Sequence, residues 1–175
     1  VEFVVISPNQ KDIPDGLEAR WIPIVPNTDT ALMLAMMYIL LKENLVNTEF
    51  LSTHCHGSQA LISYLLGHSD HTPKTPEWAE EICGVAAETI LWLTKRSAAK
   101  RTLLTCAWSL QRAHRGEQPY WASISLASFL GQIGLPGGGF SFGHASMNGV
   151  GNPRPHEPAA PQLTIPRNPT QQSIP

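Results

Sequence analysis

Arg20-Trp21-Ile22-Pro23-Ile24-Val25 runs into Pro26-Asn27-Thr28-Asp29-Thr30 and then into the unbroken apolar stretch Ala31-Leu32-Met33-Leu34-Ala35-Met36-Met37-Tyr38-Ile39-Leu40-Leu41. The first six residues read as an extended segment. Pro23 has no amide hydrogen to give to a ladder, so that segment belongs at a sheet edge or a strand end. Residues 26–30 form the turn from strand to helix. Residues 31–44 are long enough for four helical turns and apolar nearly all round, which predicts a helix covered on more than one side. Thr28 or Asp29 is its expected N-cap.

On the N-terminal side, residues 2–6 are β-branched and aromatic and close on Ser7-Pro8-Asn9, a strand ending in a turn. On the C-terminal side, Thr75-Pro76 opens a helix with proline at its first position, and Gly84 closes it. Residues 86–99 read as a further helix, 102–108 as a strand, and 120–133 as another nearly all-apolar helix that Gly134 and Pro136 stop. Strands alternating with helices predict an α/β chain with a parallel sheet and helices on its faces. After Gly137-Gly138-Gly139 the periodicity fades. Residues 150–175 carry seven prolines and few large apolar groups, so residues 154–175 are expected to form an extended tail behind a domain spanning 1–153.

The 175 residues include 12 basic and 14 acidic side chains, a net charge of −2, and only 15% are charged, against roughly 25% in an ordinary soluble domain. A surface so short of charge is expected to be covered by other protein. Without a basic excess the chain lacks the electrostatic footprint of a nucleic-acid binder. The longest apolar run, 31–41, is too short for a membrane span. The chain opens on strand-like sequence without an initiator Met or a signal peptide, so it reads as a piece of something longer. Cys55, Cys83 and Cys106 are odd in number and widely spaced, which predicts neither a disulfide framework nor a zinc ribbon.

Three places carry chemistry. Pro26, Thr28 and Asp29 lie where a strand feeds a helix, the position at which open α/β sheets take nucleotides. A carboxylate there repels phosphate but accepts two parallel hydrogen bonds from guanine N1–H and N2–H; the ordinary alternative is simple capping of the helix. Trp108, Gln111, Arg112, His114 and Gln118 gather just after a strand end, with cations suited to phosphate and amides suited to base or pterin edges; the alternative is a solvated loop. Gly137-Gly138-Gly139 lets backbone approach a ligand closely, or serves as a plain helix-ending turn, and lacks the Lys-Ser/Thr of a phosphate loop. His54-Cys55-His56 points alternate residues to opposite sides and does not suit one metal. No nucleophile motif is present.

In order along the chain, Trp21-Ile22-Pro23-Ile24, Pro26-Asn27-Thr28-Asp29-Thr30-Ala31-Leu32, Tyr64-Leu65-Leu66-Gly67, Pro73-Lys74-Thr75-Pro76-Glu77-Trp78-Ala79, Trp108 with Gln111-Arg112, His114 with Gly116-Glu117-Gln118, and Leu130-Gly131-Gln132-Ile133-Gly134-Leu135-Pro136-Gly137-Gly138-Gly139-Phe140 resemble the molybdopterin oxidoreductases of the dimethyl sulfoxide reductase type. Within that family the likeness is to the trimethylamine N-oxide, dimethyl sulfoxide and biotin sulfoxide reductases. It runs from about residue 2 to about residue 153.

The resemblance implies a Rossmann-like part of the cofactor-binding domain of a larger multidomain enzyme, which reduces N-oxides or S-oxides with molybdenum bis(molybdopterin guanine dinucleotide). It implies that Thr28-Asp29 holds a guanine and that residues 108–118 approach the cofactor. The family usually carries an acidic residue or Asn where Ser7 stands, contacting the same nucleotide, so Ser7 implies an altered contact. The molybdenum-ligating serine lies upstream in the family and has no match here, so neither a catalytic residue nor a metal ligand is assigned. Implied partners are the remaining domains of the same enzyme and an electron donor of the cytochrome c type. The implied location is the periplasm, or the cytoplasm if no twin-arginine signal precedes the segment. The competing reading is a non-catalytic nucleotide- or pterin-binding remnant or interaction module.

Overall fold

The computed structural model of the chain describes residues 1–143; the expected boundary at residue 153 and the Pro-rich tail 154–175 lie outside the described residues. Phe3–Ile6 (β1) and Ala19–Ile22 (β2) pair in parallel, with Phe3 opposite Ala19 and Ile6 opposite Ile22. The Ser7 amide extends the ladder to the Ile22 carbonyl at 3.1 Å. A 3-10 turn at Gln10–Asp12 lies in the crossover between them. Pro23 falls immediately after β2, where a missing amide costs no ladder bond.

The turn at 23–28 delivers the chain into α1, Asp29–Lys42. Thr28 occupies the cap position, but its hydroxyl donates to the Val25 carbonyl at 2.6 Å and makes no cap bond. The apolar circumference of α1 is explained by its neighbours. It packs against α3 (Ser58–Leu65), α4 (Pro76–Cys83), α5 (Ala87–Ala99) and α6 (Gln118–Phe129), and Ala35, Met37 and Leu40 lose all contact with solvent. Burial of this kind is worth about 25 cal/mol per Å2 of apolar surface, so α1 is the element on which the others assemble.

Two short helices were not predicted. These are α2, Thr48–His54, whose amide of Phe50 is capped by Asn47 Oδ1 at 2.9 Å, and α3, entered through Gly57 at φ 79°. Each is under nine residues, too short for a clear period. The helix predicted from Thr75 forms as read: the Thr75 hydroxyl accepts the Trp78 amide hydrogen at 3.2 Å, and Gly84 ends α4 at φ 71°. Between α3 and α4 the chain buries Lys74, only 1% exposed. Its ammonium reaches Asp70 Oδ2 and the Thr72 carbonyl, both at 2.5 Å, and lies 4.3 Å from the Tyr64 ring centroid and 5.3 Å from that of Trp78. Buried cations require such partners.

After α5, Leu103–Thr105 (β3) pairs in parallel with Gly139–Ser141 (β4) across α6, a strand–helix–strand unit. The predicted strand 102–108 is shorter than read because Trp108–Arg112 coils into a 3-10 helix. The helix expected over 120–133 starts two residues earlier, with Pro119 in its first turn, and stops at Phe129. Among the described residues the strands form two separate parallel pairs; the alternation of elements predicted parallel pairing and flanking helices, but it carries no information on whether short strands join into one sheet.

Candidate functional site

Asp29 is the first residue of α1 and sits half-buried at the carboxyl end of β2. Burial pushes its carboxyl above the usual aspartate range, opposed only by a hydrogen bond from its own amide. The ion pairs of the described residues use Asp70, Glu43 and Glu2, not Asp29. A carboxylate removed from water with no cation beside it is a group that gains from a ligand's hydrogen-bond donors.

Asp29 stands near the carboxyl end of β3 as well. Burial raises the Cys106 thiol above its ordinary range, the Ser123 hydroxyl lowers it, and the Asp29 charge raises it further. Ser123 on α6 bridges the region: its hydroxyl is 3.0 Å from Cys106 Sγ, 3.2 Å from Met33 Sδ and 2.8 Å from the Pro119 carbonyl. The start of α1 and the end of β3, 77 positions apart in numbering between Asp29 and Cys106, thereby converge.

The segment after β3 is an exposed polar rim. Trp108, Gln111, Arg112 and His114 are solvent-accessible, and Gln118 opens α6 with its amide donating to Glu117 Oε1 at 3.3 Å. Its curvature requires Gly116, which is buried. A Cβ there would lie 2.5 Å from the Gln111 carbonyl oxygen, so the 3-10 helix closes down on a residue without a side chain. Trp108 stacks on Phe142, the residue following β4, with centroids 5.2 Å apart and rings 23° from parallel. Phe142 carries no sequence signal; only strand pairing brings it to Trp108.

Ser7 ends β1 and is buried, and its hydroxyl donates to the Asp12 carboxylate while accepting the Asn9 amide hydrogen at 3.2 Å. Its carbonyl accepts the Trp21 indole N–H at 2.9 Å. The serine hydrogen is therefore committed within the protein, and Asp12, which the sequence reading passed over, is the carboxylate at this strand end. Pro26 is exposed in the turn leading to Asp29. The glycine triplet enters β4: Gly139, at φ 87°, donates its amide hydrogen to the Thr102 carbonyl at 3.0 Å, and a Cβ there would lie 2.9 Å from the Ile133 Cα. His54 stacks on Phe50 at 4.7 Å and bonds Thr53 at 2.6 Å.

This arrangement, with acceptors and aromatic rings at the carboxyl ends of parallel strands, accompanies a match of residues 1–169 to the molybdopterin oxidoreductase family model. The chain belongs to the molybdopterin oxidoreductase family. It is 45% identical over 170 residues to a biotin sulfoxide reductase of Cereibacter sphaeroides, covering 96% of this chain and 23% of that protein. It is 42% identical to a dimethyl sulfoxide/trimethylamine N-oxide reductase of Rhodobacter capsulatus, covering 93% of this chain and 20% of the relative. It is 46% identical to trimethylamine-N-oxide reductase 1 of Escherichia coli strain K12, covering 87% and 18%. The chain thus spans about a fifth of the length of these relatives. Among solved structures, acetylene hydratase from Pelobacter acetylenicus superposes with a TM-score of 0.61 at 20% identity, over 75% of this chain and 17% of that one; a molybdopterin oxidoreductase segment and this neighbour share a fold. No helix among the described residues is long and apolar enough to cross a membrane.

Proposed function

We propose that this chain is part of the Rossmann-like cofactor-binding domain, spanning 1–153, of a multidomain molybdenum enzyme that reduces N-oxides or S-oxides, and that it holds one guanine dinucleotide of a bis(molybdopterin guanine dinucleotide) cofactor. The observation that carries the reading is Asp29, a half-buried carboxylate at a strand-to-helix turn, with a raised proton affinity and no cationic partner among the described residues. The residues present fit the group. Two coplanar acceptor oxygens match the N1–H and N2–H edge of guanine and reject adenine, which presents no such donor pair.

When bound, the molybdenum–pterin group supplies the oxygen-atom and two-electron chemistry. The chain's own residues bind and orient. Asp29 takes the base, with Thr28 and Pro26 shaping the turn before it, while the Ser7–Asp12 pair marks the neighbouring strand end. Arg112 and His114 stand on the exposed rim where a pyrophosphate would gain charge-assisted bonds, and Gln111 and Gln118 offer amides to a heterocycle edge. No residue of this segment is assigned acid–base catalysis or metal ligation. The relatives' names support the N- and S-oxide substrate class. The remaining domains of the enzyme, a cytochrome c-type donor and a periplasmic location complete the proposal.

The test is molybdenum and GMP content of the enzyme purified from a host that makes the cofactor. Asp29→Ala is expected to lose both. Retention of GMP by the variant would refute the assignment, and a full-length protein that carries nucleotide without molybdenum would make it a non-catalytic binding module.

A further inference from the structure

An open groove of about 780 Å3 runs between α2, the start of α3 and the outer side of α6. Phe50 and Leu51 line it from α2, Leu61 from α3, and Ile124 and Phe129 from α6. Among the described residues that line it there is no Asp, Glu, Lys or Arg. The Ser128 hydroxyl, also in the wall, donates to the Ile124 carbonyl of its own helix at 2.8 Å, so its hydrogen is spent within α6. Asn47 holds the two walls in register: its amide donates to the Phe129 carbonyl at the end of α6 at 2.8 Å, and its side chain caps α2 at Phe50. The groove is therefore preformed, and an incoming group does not have to order it. Apolar surface continues beyond it through exposed Trp121, one helical turn before Ile124 and Ser125, and through exposed Leu135 after α6.

We propose that this groove seats an apolar helix from the part of the same polypeptide that lies outside this segment. The proposal rests on the reading of the chain as one portion of a longer enzyme. The relatives devote 18 to 23% of their length to the segment matched here. Most of such a polypeptide is left to pack against the segment, at the high effective concentration that covalent connection gives. The chemistry of the groove selects the occupant. A charged ligand would find no counter-charge in it. Helices and the turns that join them line it, with no strand edge, so an incoming strand would find no backbone partners, whereas a helix satisfies its own. Ser125 and Ser128, with Gly57 and Gly134 at the ends, are small enough to admit a third helix at the usual interaxial distance of about 8–10 Å. Exposed His54 and His56 form a polar rim, the common border of an apolar contact.

The experiment uses the full-length enzyme from a cofactor-producing host. Ile124→Cys and Ile133→Cys place thiols at positions that are 43% and 37% exposed in this segment, so strong shielding there requires an occupant. Each is expected to react with N-ethylmaleimide about 100-fold more slowly in the native enzyme than in urea, at every protein concentration. Trp121→p-benzoylphenylalanine, close in size to the indole, is irradiated and the linked peptide is identified. The expected partner is an apolar stretch of the same polypeptide outside residues 1–175. Thiols that label freely in the native enzyme overturn the proposal. So do protection lost on dilution with links between two copies, and links to a separate molecule or only within residues 1–175. If the cysteine variants do not fold, the Trp121 link decides alone, and its absence overturns the proposal. Molybdenum and GMP are measured on the same preparations. Free labelling of an enzyme that carries both removes the docked helix and leaves the cofactor reading standing, whereas shielded thiols in a protein that carries neither do the reverse.

Discussion

The Gln132 side-chain carbonyl accepts the Thr102 amide hydrogen at 2.6 Å, across 30 residues, while its Nε2 donates to the Lys100 carbonyl at 2.9 Å. One buried amide thus joins the chain beyond α6 to the entry of β3, and so fixes where β4 meets β3. Gln132→Ala would remove the partner of two partly buried backbone groups, the Thr102 amide and the Lys100 carbonyl. It is expected to cost about 1 kcal/mol, the lower end of the roughly 1–3 kcal/mol for an unsatisfied buried group, because these groups are only partly buried. A lowered urea midpoint at unchanged slope checks this; an unchanged midpoint means water replaces the amide.

Gly131 and Gly134 both sit at positive φ, 65° and 86°, but their surroundings differ. A Cβ at 131 would meet the Asn47 side chain, the cap of α2, at 2.3 to 2.5 Å, whereas at 134 nothing lies within 4 Å. Gly134→Ala should cost about 1 kcal/mol for the backbone alone. Gly131→Ala should cost clearly more and loosen α2, read as faster amide exchange at Phe50. Equal losses at the two positions would contradict the contact argument.

Asp29→Asn is expected to stabilise the cofactor-free protein at pH 7 while abolishing guanine retention. Burial raises the folded pKa of Asp29, so the native state binds its proton more tightly than the unfolded chain, and stability falls as pH rises through that interval. The variant lacks this loss. Its advantage, a few degrees in melting temperature, should be full above the folded pKa and vanish as pH falls below the unfolded value near about 3.9. A variant no more stable at pH 7 would show that the charge is already compensated.

The Asp70–Lys74 pair has the opposite sign. The Lys74 hydrogen bond holds the Asp70 carboxyl below its ordinary range, so its contribution is present above the unfolded pKa and lost as pH falls through the folded one. Stability curves of wild type and Asp70→Asn should be apart at pH 7 and converge in strong acid. Curves that stay parallel down to pH 2 would assign the difference to packing.

The outer side of α6 exposes Trp121, 61% accessible, with Ile124, and Ile133 and Leu135 follow beyond its end. The isolated 175-residue chain is therefore expected to bind hydrophobic dyes and to associate. Trp121→Glu with Ile124→Lys should reduce both. Sharp, monomeric melting of the unmodified chain would refute this.

Local chemistry was legible where it is encoded by neighbours. Thr75-Pro76 and Gly84 bracket α4 because a hydroxyl cap, a fixed φ and a left-handed residue each act within one turn. The all-apolar run of α1 announced its burial, and the turn that places Asp29 between strand and helix was readable from Pro26 and the apolar run after it. Beyond that range the reading failed for physical reasons. α2 and α3 are too short to display a period, and β4 looked like a turn because three glycine-led residues become a strand only when β3 offers its edge.

The sequence by itself determined the long apolar helix, the parallel pairing tendency and the acidic residue at the turn, which follow from local sterics and hydrophobic period, and the order of its motifs carried the family likeness. Tertiary structure decided the rest. Among the described residues it gave Asp29 no ion-pair partner, gave the Ser7 hydroxyl to Asp12, buried Lys74 among Asp70, Tyr64 and Trp78, and stacked Phe142 on Trp108. Each of these depends on which distant groups share a volume, and that is settled by packing around α1, not by any window of residues.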